Sequence, residues 1–97
     1  MTGYVIAHYR ITNPANYAAY VPAVVGTLQA HGAEILVADY ASEPLEGAPS
    51  AVTVVLKFAS RAAARAWYDS PEYREIIQLR TDNSEGFMVL VDGFVMP

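Results

Sequence analysis

Cysteine is absent from the chain, which excludes a disulfide frame, a thiolate nucleophile and a thiolate metal site. Charge is scarce: Asp, Glu, Lys and Arg make up 16% of the 97 residues, against about 25% in an average globular chain. The six basic residues are scattered and the net charge is −4. Only Arg61 and Arg65 share a helical face. Nucleic acids and anionic membranes need clustered cations to displace counterions, so neither is expected as a partner. The two histidines stand 23 positions apart with no local ligand motif, so no metal is expected. There is no glycine-rich phosphate loop and no dinucleotide fingerprint, so no cofactor is expected either. Long hydrophobic runs are also missing. The longest, Tyr17 to Val25, is about half a membrane span and contains Pro22. His8, Tyr9 and Arg10 interrupt the apolar N-terminal stretch too early for a signal peptide. A cytoplasmic protein is the expectation.

What is present is apolar: hydrophobic residues make up 54% of the chain. A chain of this length is expected to form a single domain over residues 1–97. Folding should leave roughly 5,400 Å² exposed out of about 15,000 Å². With so few charges, part of that surface is expected to be covered by a second copy of the chain.

Residues 4–11 alternate. Val5, Ala7, Tyr9 and Ile11 share one face, and Tyr4, Ile6, His8 and Arg10 share the other. Asn13-Pro14 reads as an N-cap followed by proline at the first helical position. Tyr17, Tyr20, Val21, Val24, Val25, Leu28 and His31 then recur with helical spacing. Pro22 removes an amide donor and predicts a kink, and Gly32 is a natural helix stop. Residues 33–40 and 52–59 read as strands, with a turn-rich loop at 41–51 between them. Val52, Val54, Leu56 and Phe58 form one parity of the third strand. Ser60 caps a second helix running to Tyr68, with Ala62, Ala63, Ala66 and Trp67 as its expected inner stripe. Ser70-Pro71 restarts a helix that continues through Tyr73, Ile76, Ile77 and Arg80. Thr81 to Gly86 reads as a polar loop, and Phe87 to Val91 as the last strand, with Asp92-Gly93 as a turn or bulge.

The order strand, helix, strand, strand, helix, strand is the ferredoxin-like split βαβ arrangement of the α+β class. It predicts a four-stranded antiparallel sheet with two helical segments on one face. The bare face would be an unfinished core, and a homodimer packed sheet to sheet would complete it.

The run Ala63-Ala64-Arg65-Ala66-Trp67-Tyr68-Asp69-Ser70-Pro71-Glu72-Tyr73, with Arg80 beyond it, resembles the signature of the domain of unknown function 1330 family. Tyr17, Tyr20, His31-Gly32, Leu45-Glu46-Gly47 and Phe58 add to the likeness, which covers roughly Tyr4 to Gly93. The resemblance implies the dimeric α/β-barrel superfamily. That fold hosts cofactor-independent monooxygenases, muconolactone isomerases and haem-dependent chlorite dismutases. It therefore implies a fold more than a chemistry. The chain departs from the family pattern at His8 and Arg10, at Ala33 after Gly32 (where the family often has a second glycine), and at Lys57.

Candidate site residues fall in three groups. His8, Arg10, Thr53 and Lys57 share the mixed parity of two strands expected to be neighbours. Arg10 and Lys57 could hold a carboxylate or enolate and His8 could move a proton; alternatively the cations form interface ion pairs with Glu34, Asp39 or Asp92. His31 could be a general acid or base, or simply a cation at a helix C-terminus. Trp67 and Tyr73 could wall a ligand pocket, or be core. Two functions stay open. One is a small enzyme acting by acid/base chemistry on an anionic or enolisable organic molecule. The other is a non-catalytic binding or assembly module with its pocket packed shut.

Overall fold

The computed structural model describes residues 1–97. Its first strand, β1 (Gly3–Ile11), keeps the alternation of the sequence: Val5, Ala7 and Tyr9 are buried, while Tyr4, Ile6 and His8 are half-buried. β2 (Glu34–Asp39), β3 (Val52–Phe58) and β4 (Ser84–Asp92) complete one antiparallel sheet in the order β2-β3-β1-β4. The neighbouring central strands pair Tyr4 with Lys57, Ile6 with Val55 and His8 with Thr53, so these six share the uncovered face. The last strand starts at Ser84, three residues earlier than expectation: Ser84, Glu85 and Gly86 pair with Ile11, Arg10 and Tyr9. The chain ends its pairing at Asp92, and the Gly93 amide closes the corner on the Thr2 carbonyl at 2.7 Å.

Five short helices cover the other face: α1 (Pro14–Tyr17), α2 (Tyr20–Ala30), α3 (Arg61–Tyr68), α4 (Pro71–Arg74) and α5 (Ile77–Thr81). Asn13, Ser60 and Ser70 each accept a backbone amide into the first turn of the helix that follows. The break expected at Pro22 falls earlier, at Ala18–Ala19. Pro22 then sits in the first turn of α2, where its missing N–H needs no partner. The helix begun by Ser70-Pro71 also divides, at Glu75–Ile76. On α3 the inner stripe is Ala64 and Trp67 with Ala63 half-buried, while Ala62 and Ala66 face solvent. Its phase is set by the Ser60 cap and by Trp67, since a run of alanines carries no amphipathic contrast of its own.

The core lies between the helices and the sheet. Trp67, Tyr9, Tyr73, Phe58 and Val52 are its largest fully enclosed side chains. The molecule is a slab of 41 × 36 × 15 Å exposing 6008 Å², above the roughly 5,400 Å² typical of this mass. Apolar side chains are exposed on the uncovered sheet face, where Phe87 is 53% and Val89 43% exposed, and on β2, all six residues of which are exposed. No helix is long and apolar enough to cross a membrane.

Candidate functional site

The uncovered face brings together His8, Thr53, Arg10 and Lys57, and most of their polar atoms are already engaged there. The Ser50 amide donates to His8 Nε2 at 2.8 Å, so Nδ1 carries the ring proton and donates to Thr53 Oγ1 at 3.1 Å. Thr53 shares a further hydrogen bond with Ser42 at 2.6 Å, and Ser42 and Ala51 close the loop through their backbones. The 41–51 loop is thus fastened to the sheet through His8. Arg10 pairs with Glu85 at 2.6 Å, not with the acids expected, and both side chains are well exposed; such pairs contribute about 0–1 kcal/mol. Lys57 makes no ion pair.

His31 lies apart, as the C-cap of α2, with Nε2 3.8 Å from Glu72. Glu72 stands in the first turn of α4. Its own backbone amide and the Ser70 hydroxyl hold its carboxyl below the usual range, with His31 adding a smaller pull. Trp67 and Tyr73 stack with ring centroids 4.2 Å apart in the core, and Trp67 donates to Thr27 Oγ1 at 3.0 Å. The seven candidate residues therefore do not converge on one site.

The convergence of polar groups is on the other side of the sheet. A cavity of about 80 Å³ lies between α2 and the sheet, with Tyr40 and the exposed Val21 and Ile35 near its mouth. Fifteen residues line it, fourteen of them hydrophobic; the exception is Arg80. Tyrosines supply its polar atoms. Tyr17 hydrogen-bonds to Tyr9 and, at 3.3 Å, to Tyr40. Tyr20 bonds to Tyr73 at 2.7 Å, and Arg80 Nε donates to Tyr73 at 3.4 Å. The Arg80 side chain also approaches the Tyr9 ring, at 5.9 Å from its centroid, a favourable cation–π geometry.

Burial raises the pKa of Tyr9, Tyr17 and Tyr20 above the usual phenol range. For Tyr17 and Tyr20 the hydroxyl neighbours add to the rise, whereas for Tyr9 the bond from Tyr17 opposes it. All three are donors at neutral pH, not bases. Unfolding returns them to the ordinary range near 10, so above that pH the unfolded chain holds fewer protons and stability falls. Alkaline titration followed at 295 nm should show phenolate from these three arriving together with loss of the fold, between pH 10 and 12. Ionisation of all seven tyrosines with near-UV dichroism intact would contradict their enclosure.

Arg80 was legible in the sequence as a helical neighbour of Tyr73 and Ile77 and as the last residue of the family likeness, but not as part of a site. The available signal was a cation at the i+7 position from a buried tyrosine, on an apolar stripe. At the end of a helix such a residue reads first as a charge favoured by the backbone dipole.

The sequence profile of the domain of unknown function 1330 family matches residues 2–94. No curated protein matches the sequence. Among solved structures, a protein of unknown function from Rhodopseudomonas palustris superposes with a TM-score of 0.80 at 16% identity, covering 98% of this chain and 84% of that one. HapK from Hahella chejuensis follows the same path with a TM-score of 0.63 at 18% identity, over 98% and 95% of the two chains. A putative antibiotic biosynthesis monooxygenase from Chloroflexus aurantiacus gives 0.61 at 15% identity, over 100% and 97%. At these identities the likeness is one of fold, the ferredoxin-like sheet of the dimeric α/β-barrel class. With the profile spanning nearly the whole length and the sheet order in agreement, the chain belongs to the domain of unknown function 1330 family.

Proposed function

We propose that the cavity under α2 is a pocket for a small anionic or enolisable organic molecule, and that the protein binds and polarises that molecule without a cofactor. The observation that carries this reading is the meeting of protonated tyrosine hydroxyls and one buried guanidinium at an otherwise apolar cavity. Hydroxyl donors and a cation in a water-poor site favour negative charge developing on a carbonyl oxygen. The family's fold relatives include a putative monooxygenase, which fits chemistry on such molecules. His8, His31, Arg10 and Lys57 lie outside the cavity lining, so the tyrosine hydroxyls and Arg80 would stabilise the developing oxyanion as donors, and the α-proton would pass to solvent water. The test is α-proton exchange: short ketones are incubated with the protein in D2O and followed by proton NMR. Faster exchange with the parent than with a Val24→Trp variant, whose indole would stand across the cavity, is expected. Equal exchange in both would overturn the reading.

A second reading is favoured by the cavity's size. At about 80 Å³ it is below the roughly 300–1,000 Å³ of ordinary ligand sites, as a non-catalytic binding or assembly module would have it.

Both readings include a homodimer through the uncovered sheet face, where Ile6, Val55, Phe87 and Val89 stand together. Sedimentation at micromolar concentration should give twice the 10.5 kDa chain mass, and Val89→Asp should return it to the single-chain value. A folded parent at the single-chain mass would contradict the dimer.

A further inference from the structure

Arg80 is the one cation in the molecule that is both buried and without an acid. Its residue is 7% exposed, whereas Arg10, Arg61, Arg65 and Arg74 each reach a carboxylate at the surface. Its side-chain hydrogen bonding reaches only tyrosine hydroxyls: Nε donates to Tyr73 at 3.4 Å, and Tyr20 also supports the charge. No side-chain nitrogen is sealed off unsatisfied, and the side chain forms part of the cavity wall. A guanidinium carries five donors in a planar fork, and a charge removed from water without a counter-charge is costly. The surrounding tyrosines do not neutralise it, because burial keeps Tyr9 and Tyr20 protonated. Burial works against the charge on Arg80 as well, and Tyr73 and Tyr20 outweigh it, so the group stays cationic. A cap on the end of α5 would explain a surface arginine, but not one turned inward among tyrosine rings.

We propose that Arg80 is the anion anchor of this cavity, and that the ligand is a monocarboxylate with an apolar body. The inference rests on the reading of the cavity as a ligand pocket. The planar two-oxygen carboxylate matches the fork of guanidinium donors, and the fourteen hydrophobic lining residues around a cavity of about 80 Å³ match a short aliphatic chain. A dicarboxylate or a phosphate would bring a second negative charge with no cation to meet it. Tyr20, which lines the cavity and is linked to Arg80 through Tyr73, would donate to the same carboxylate by turning its hydroxyl.

The test compares charged and neutral isosteres. Propionate and butyrate, with propionamide and butyramide as neutral partners, are titrated into the parent protein and into Arg80→Met by calorimetry. The parent should bind the carboxylates about tenfold or more tighter than the amides, the difference expected of a charge-assisted hydrogen bond, and Arg80→Met should lose that preference. Carboxylates and amides binding alike would overturn the anion anchor while leaving the pocket standing. Binding of neither class would overturn both. A carboxylate preference that survives in Arg80→Met would overturn the assignment to Arg80 and shift it to Arg10 or Lys57. Should Arg80→Met fail to fold, the Arg80 Nε–H resonance of the parent serves instead. Movement with butyrate and none with butyramide supports the proposal; no movement with either, or the same movement with both, overturns it.

Discussion

Replacing Trp67 by alanine should lower the stability of the fold by about 3–5 kcal/mol, the usual cost of emptying a large aromatic site in a core. The indole is 0% exposed. It stacks on Tyr73 at 4.2 Å and lies 5.6 Å from Phe58, so it joins α3, α4 and β3 in one contact. Its Nε1–H donates to Thr27 on α2, and Thr27 in turn donates to the Val24 carbonyl. The alanine variant thus loses packing against the sheet and the tie between two helices. For a domain of this size, each kcal/mol moves the melting midpoint by roughly 4–8 °C. Urea denaturation of the parent, Trp67→Ala and Trp67→Phe separates the parts: the phenylalanine keeps most of the packing and loses the hydrogen bond. A loss below about 1 kcal/mol in Trp67→Ala would show that this core is not where the stability lies.

The second large effect belongs to a residue with no side chain. At Gly86 the backbone of β4 passes so close to β1 that an added Cβ would stand 2.3 Å from the His8 carbonyl oxygen and 2.5 Å from Tyr9 Cα. These are backbone atoms of a central strand and cannot step aside. Gly86→Ala should therefore cost about 1–3 kcal/mol or more, with amide exchange in the β1–β4 ladder accelerated first. Gly26, in the middle of α2, has nothing within 4 Å of its would-be Cβ. Gly26→Ala should be neutral or stabilising by about 0.5–1 kcal/mol. Thermal melts of the two variants side by side give opposite signs, and equal melts would contradict the close strand approach.

How far the sequence carried the reader depends on the physics behind each feature. Strand parity has a period of two and tolerates no slip, so the faces of β1 and β3, with His8 and Thr53 on the same one, followed from the residues alone, whereas the register that pairs the two did not. Helix starts were equally legible, because Asn13, Ser60 and Ser70 name their own positions through side-chain caps. The breaks inside the helical runs were less so. Pro22 announces a disturbance but not on which side of it, and nothing in Glu75–Ile76 marks the division that separates α4 from α5. The candidate site was harder to read for a related reason. Charges on the mixed strand face drew attention to His8, Arg10 and Lys57, but local partners at Ser50, Thr53 and Glu85 engage the first two. Arg80 looked ordinary because its neighbours in space, Tyr9, Tyr20 and Tyr73, come from three separate segments.

The central claim is that the ligand site lies under α2 and not between the sheets of two copies. Intermolecular nuclear Overhauser effects from the butyrate methyl group to the valine and leucine methyls of the protein test it most directly. Cross-peaks to Val21, Val24, Val25 and Leu28, which line the cavity, are the expected result. Cross-peaks to Val55, Val89 and Val91, on the uncovered face beside Lys57 and His8, would contradict it.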